Sequence, residues 1–264
     1  MTHVAQTRPA DEELPSFHGD LNVFITVGST RFDALISHSV LDVSFLHCLS
    51  DALKDLENTS ADNTVHVIAQ YGNADLAEVI GNSSLVSSDG EEIDGDRRAM
   101  HGRLSLDLEP PGQAVFFSTN GILQGSLKQD SSTPCPRVEI TLFKFAPNLR
   151  ACMEAADVVI SHAGSGTILE VLRLPPISRT RAHERQLIVV PNSSLMDNHQ
   201  VELAEALADH PDGPYVHVAT FDQLSDKMAS VLLAMGRGES KLKPFPAFDG
   251  SRLNALIDEE MGFM

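Results

Sequence analysis

Short apolar runs alternate with segments of helical spacing along most of the chain. Leu21–Val27 (LNVFITV) is a nearly continuous apolar run that stops at Gly28, which predicts a buried strand. Leu35, Ile36, Val40, Leu41, Phe45, Leu49 and Leu53 then recur at helical intervals, predicting one helix over 33–56. Further apolar runs predict strands at 65–70, 138–143, 158–160, 187–190 and 215–218. The last three are followed by helical patterns at 165–174, 198–209 and 221–235. Strand–helix alternation with apolar strands implies a parallel sheet covered on both faces. Right-handed crossovers then give an α/β, doubly wound, Rossmann-like domain over 21–240.

Two stretches break this rhythm. Residues 1–20 read as a disordered tail, polar and interrupted by Pro, with no apolar core of a signal peptide. Residues 73–136 are long and polar, with nine acidic residues against three Arg over 75–109, and read mostly as an inserted loop with a local strand at Phe116–Phe117. A shorter basic insertion, 177–185, separates a helix from the fifth strand.

Composition narrows the function. The 264 residues carry 19 Lys and Arg against 37 Asp and Glu, a net charge of −18. That argues against nucleic-acid binding and against electrostatic docking to anionic lipid. No run reaches the length needed to span a bilayer. Cys48, Cys135 and Cys152 are scattered, giving neither a disulfide framework nor metal-ligand spacing, and a reducing compartment is expected. The sequons at Asn58, Asn82 and Asn192 read as chance matches in a chain without an entry signal.

The strongest chemical signal is 157–170, DVVISHAGSGTILE. A short strand runs through Ser161, His162 and Gly164 into Ser165, Gly166 and Thr167, where a helix opens. Glycines allow close backbone approach, and unpaired N–H groups at a helix start favour an anion. Ser165 and Thr167 add hydroxyls. Glu170 shares a helix face with Gly166 and Thr167 and leans toward the N-terminus, where its carboxylate suits a vicinal diol such as a ribose. The alternative is a plain Gly-rich turn with a capping Ser and a surface Glu.

A second cluster, Asp197, Asn198, His199 and Gln200, follows the fifth strand and suits a polyhydroxylated ligand in the same crevice, although Asp197-x-x-Gln200 also matches a capping box. Gly28, Ser29 and Thr30 form a third loop that lacks the full dinucleotide fingerprint but suits a phosphate. Asp94-Gly95-Asp96 matches a metal-holding D-x-D pattern only nominally, and no metal is expected.

The runs VVISHAGSGTILEVLRL, LIVVPNSSLMDNHQVELAEAL, KLKPFP and VFITVGSTRFDALI together closely resemble one family, over roughly 22–72 and 137–246. It is the cytosolic catalytic subunit of the eukaryotic UDP-N-acetylglucosamine transferase of asparagine-linked glycosylation. The resemblance implies the donor-binding, C-terminal half of a GT-B glycosyltransferase. It also implies a membrane-anchored partner that carries the acceptor half, and recruitment to the cytosolic face of the endoplasmic reticulum through that partner. By resemblance, Glu170 holds the ribose of UDP-GlcNAc, Gly164–Thr167 and Gly28–Thr30 surround the diphosphate, and Asp197–Gln200 contact the GlcNAc hydroxyls. His162 is the candidate base in this chain, with the partner as the other source. The acceptor is GlcNAc-diphosphodolichol, no metal or other cofactor is required, and residues 241–264 are the expected docking segment. A self-contained nucleotide-sugar enzyme would need a second Rossmann domain, for which too little chain remains. A noncatalytic module binding UDP-sugar or the partner is the alternative from another class.

Overall fold

The computed structural model describes residues 16–54, 63–81, 104–108, 112–119, 122–129, 137–176, 184–192, 199–239 and 241–246. In chain order the elements are β1 (Leu21–Thr26), α1 (Asp33–Ser37), α2 (Val43–Lys54), β2 (Thr64–Gln70), α3 (Leu76–Gly81), β3 (Leu104–Leu108), β4 (Gly112–Thr119), β5 (Ile122–Gln129), β6 (Arg137–Phe143), α4 (Arg150–Ala155), β7 (Val158–His162), α5 (Ser165–Leu172), β8 (Gln186–Val190), α6 (His199–Ala208), β9 (His217–Val218) and α7 (Leu224–Gly236). A 3-10 turn, Phe221–Gln223, leads into α7.

All nine strands form one sheet, in the order β3-β4-β5-β6-β2-β1-β7-β8-β9. The six strands from β6 to β9 pair in parallel. Taken in chain order, those six run 3-2-1-4-5-6, the order of the dinucleotide-binding fold. The expected doubly wound, Rossmann-like architecture is therefore present.

Alternation along the strands sorts side chains to two cores. Leu21, Val23, Ile25 and Val27 of β1 and its exit join residues from α1, α2, α3 and α7 on one face. Phe24, with Ile68, Val159 and Val189, packs against residues of α4, α5 and α6 on the other. Both faces are thus covered, which is why the central strands are apolar throughout.

Four expectations need correction. The helix read over 33–56 is two helices. The Ser39 hydroxyl donates to the Leu35 carbonyl at 2.5 Å, and Asp42 Oδ1 accepts from the Phe45 N–H at 3.0 Å, so local hydrogen bonds end α1 and start α2. The described part of 73–136, expected mostly as loop, is largely regular structure. It contributes α3 and three antiparallel strands, with β5 paired to β6. Antiparallel strands need only one apolar face, so a polar composition does not exclude them.

The third correction concerns the tail, which does not extend to residue 20. The Asp20 N–H donates to the Thr64 carbonyl at 2.7 Å, and Phe17 packs against the second core. Residues 1–15 lie outside the described residues. Finally, the sixth strand is only His217–Val218, because Tyr215 and Val216 precede the pairing to β8.

At the other terminus, Leu242 is buried, Phe245 meets Tyr215 edge-on at 5.2 Å, and the Lys243 N–H donates to the Pro214 carbonyl at 2.8 Å. Residues 241–246 therefore lie against their own domain; the remainder of the expected docking segment is outside the described residues. No helix among the described residues is long and apolar enough to cross a membrane.

Candidate functional site

The sheet's connections reverse direction between β1 and β7. β1 leads to β2 and β6 on one side, whereas β7, β8 and β9 lie on the other. At such a switch point the loops leaving the two central strands diverge and leave a crevice beyond their carboxyl ends. Thr26 pairs with Ser161, and His162 with Val190, so the turn after β1 and the loops after β7 and β8 leave the sheet side by side. The turn carrying Gly28–Thr30 and the loop carrying Ser161–Thr167 therefore leave the sheet at the same end, beside the described start of the loop after β8.

His162 sits at their centre. Its side chain is buried, and it lies between Gly28 and Gly164. A Cβ on either glycine would overlap the imidazole: at Gly28 it would stand 2.8 Å from Nε2, and at Gly164 it would collide with the same nitrogen. Gly28 also has φ +65°, a conformation that favours glycine. Both glycines are thus explained by one ring. Burial pushes the His162 pKa below its ordinary value, while a backbone hydrogen bond at Thr26 opposes that shift. The ring is therefore neutral at physiological pH.

The loop after β7 opens α5 with Gly164 as its cap in extended conformation, not Ser165. No side chain among the described residues caps this helix, and the N–H groups of Ser165, Gly166 and Thr167 have no partner within it. Ser165 and Gly166 are exposed, and nothing stands within 4 Å of a Cβ built on Gly166. Glu170 is exposed one turn further on. The Ser161 hydroxyl, by contrast, is fully buried and donates to the His162 carbonyl at 2.7 Å, so it holds the strand end.

The turn after β1 is tied down from several directions. The Thr26 hydroxyl donates to Gln70 Oε1, the Gly28 N–H donates to Thr26 Oγ1 at 3.1 Å, and Gln70 Nε2 donates to the Gly28 carbonyl at 3.0 Å. Asn73 Nδ2 donates to the Ser29 carbonyl at 2.8 Å, and Asn192 Nδ2 to the Arg31 carbonyl at 3.1 Å. The Thr30 hydroxyl donates to the Val27 carbonyl at 3.0 Å. Arg31, half-exposed at the end of this turn, forms ion pairs with Asp33 and Glu78.

Of the third cluster, Asp197 and Asn198 lie outside the described residues. His199 is exposed and pairs with Glu202 at 3.5 Å. Gln200 is not a capping partner in the expected sense: its Oε1 accepts from the Asn192 N–H at 2.9 Å, joining α6 to the loop after β8. The D-x-D pattern at 94–96 is likewise outside the described residues, and no group of three His, Cys, Asp or Glu among the described residues is placed to hold a metal ion.

The sequence reading passed over Thr26, Gln70, Asn73 and Asn192. Their signal was present: Thr26 and Gln70 are polar residues at the ends of apolar strands, which buried strands do not tolerate without a partner.

Comparison with known proteins places the whole chain in a family. Residues 120–243 match the glycosyltransferase family 28 C-terminal domain. Over 242 residues the chain is 31% identical to UDP-N-acetylglucosamine transferase subunit ALG13 of Cryptococcus neoformans, covering 91% of this chain and 96% of that one. The chain belongs to that family. The subunit ALG13 of Candida albicans is 30% identical over 132 residues, covering 47% of this chain and 42% of its own. Among solved structures, MurG of Acinetobacter baumannii is similar at 15% identity and TM-score 0.43, over 93% of this chain and 55% of that one. Membership of the ALG13 family assigns the chain a role in UDP-sugar glycosyl transfer, and the name subunit implies a partner.

Proposed function

We propose that this chain is the donor-binding, catalytic subunit of an inverting N-acetylglucosaminyltransferase. It moves GlcNAc from UDP-GlcNAc to the 4-hydroxyl of GlcNAc-diphosphodolichol, forming a β1,4 linkage, on the cytosolic face of the endoplasmic reticulum. One observation supports this above others. Two turns whose main-chain amides lack acceptors among the described residues, after β1 and at the start of α5, flank the His162 ring at the sheet's switch point.

The acceptor hydroxyl attacks C1 of the donor sugar and UDP leaves, with negative charge growing on its β-phosphate. Amides at Ser165–Thr167 and in the Gly28–Thr30 turn stabilise that charge where it develops, at about 3 kcal/mol of barrier for each well-placed donor. Fixed dipoles of this kind supply the stabilisation without a metal. Glu170 accepts hydrogen bonds from the ribose hydroxyls, and Asp197–Gln200 read the GlcNAc hydroxyls. Buried between Gly28 and Gly164, His162 suits a spacer that sets the two turns better than a base that must meet an incoming hydroxyl. The base then belongs to the membrane-anchored partner, which also brings the lipid acceptor.

Glu170→Ala tests the donor site. Loss of two hydrogen bonds to a carboxylate is expected to raise the Kd for UDP about 10- to 100-fold, read by titration calorimetry, with the thermal midpoint unchanged because the side chain is exposed. Unchanged UDP affinity removes the ribose role. Coexpression with the membrane partner and an assay with UDP-GlcNAc and a lipid-diphosphate-GlcNAc acceptor tests the reaction itself; a pair that binds UDP but transfers nothing would leave only a binding module.

A further inference from the structure

Three side-chain carboxamides, arriving from separate elements, each take one carbonyl of the turn after β1. Gln70, at the end of β2, takes Gly28; Asn73, in the loop before α3, takes Ser29; Asn192, after β8, takes Arg31. We propose that Gln70, Asn73 and Asn192 are positioning residues that aim the amides of this turn at the donor's phosphates. The inference rests on the donor reading given above.

In a trans peptide the carbonyl of one residue and the N–H of the next point in opposite directions. Fixing the carbonyls of Gly28, Ser29 and Arg31 against the three carboxamides therefore turns the N–H groups of Ser29, Thr30 and Phe32 away from them. None of those three N–H groups has an acceptor among the described residues. The free amides of Ser29 and Thr30 are consecutive, opposed from the β2 side by Gln70 and Asn73, and consecutive main-chain amides can form a concave anion-binding nest; Asn192 fixes the exit of the turn at Arg31 from the other flank.

The residue types fit the task. A carboxamide donates without bringing charge, so it neither neutralises a phosphate's field nor repels it, as a carboxylate would. Gln70 and Asn192 are almost fully buried, 2% and 3% exposed, and Gln70's oxygen is already occupied by the Thr26 hydroxyl. That bond fixes which end of the carboxamide faces Gly28. Gly72, with φ +58°, lets the Asn73 loop come close: a Cβ there would stand 2.7 Å from the Gly28 carbonyl oxygen. Gln200 extends the arrangement by anchoring the Asn192 main chain, so α6, Asn192 and the turn after β1 are linked by consecutive hydrogen bonds.

The test compares UDP with uridine, which lacks the phosphates, on the full chain. Asn73→Ala is the cleanest variant because Asn73 is exposed and its loss leaves the core intact; Gln70→Met and Asn192→Leu are followed alongside a thermal melt. Each is expected to weaken UDP about three- to tenfold while leaving uridine within about twofold, since one hydrogen bond acting on the phosphate amides is lost and the base and ribose contacts are not. A merely structural role would weaken both ligands together, and that outcome overturns the proposal. So does wild-type-like UDP binding in Asn73→Ala. If the wild-type chain binds neither UDP nor pyrophosphate, the donor reading itself is what has failed, and the clamp falls with it.

Discussion

His162 explains two glycines that a motif reader would assign to the ligand alone. Gly28 and Gly164 both leave room for its ring, but only Gly28 also has a left-handed backbone. The two therefore separate by substitution. Gly28→Ala and Gly164→Ala are each expected to cost about 1–3 kcal/mol of stability by denaturant titration. In a His162→Ala background, Gly164→Ala should become nearly neutral, whereas Gly28→Ala keeps a penalty of about 1–2 kcal/mol from its φ. Additive costs in both double variants would mean that the ring is not what the glycines accommodate. At this scale the sequence showed the glycines but not their reason. Gly28 and His162 become neighbours only through the pairing of β1 with β7, and no local pattern carries that pairing. The same holds for Asn192 and Arg31, whose contact joins loops 161 residues apart.

Elements were more legible, because each central strand is a short apolar run bounded by turn residues. Where the reading failed, a polar side chain had redirected the backbone. Ser39 and Asp42 divide one apolar stripe into two helices while all its described members stay in the same core. The strands also carry buried polar residues with consequences for pH. His66 on β2 meets Thr141 Oγ1 at 3.1 Å and packs its ring, tilted by 46°, against His18 at 4.1 Å, with Glu139 nearby. Burial, reinforced by His18, pushes its pKa down to about 4, and burial does the same for His217 beside β8. A histidine whose folded pKa is depressed is protonated first in the unfolded chain. Its stabilising effect is complete above about pH 6.5 and is lost as the pH falls toward about 4, at up to ~1.4 kcal/mol per pH unit. Urea midpoints taken between about pH 7 and about pH 5 should fall accordingly, and His66→Gln should flatten the slope. An equal slope in that variant would exclude His66 as a source.

For the whole molecule, the strand order 3-2-1-4-5-6 separates what the site needs from what has been added to the sheet. β3, β4 and β5 continue the sheet past β6, on the side away from the switch point. Deleting residues 82–129 should leave the six parallel strands folded and the UDP Kd within about twofold of wild type, by circular dichroism and calorimetry. A folded deletion that no longer binds UDP would show that the extra strands reach the crevice. The parallel core was readable because strands buried on both faces are apolar throughout; the added strands were not, since polar antiparallel segments resemble loops. The position of β1 has a kinetic consequence. Its hydrogen bond from Asn22 to Asp157 closes a span of 135 residues, and the crevice is complete only once β8 has followed β7. During synthesis the amino-terminal strands leave the ribosome long before their central neighbour exists. Assembly must wait for that late partner, which makes this a slow-folding, high-contact-order topology. Chains that stop short of β7 are left with one flank of β1 open to association, and nucleotide in the cell has nothing yet to stabilise.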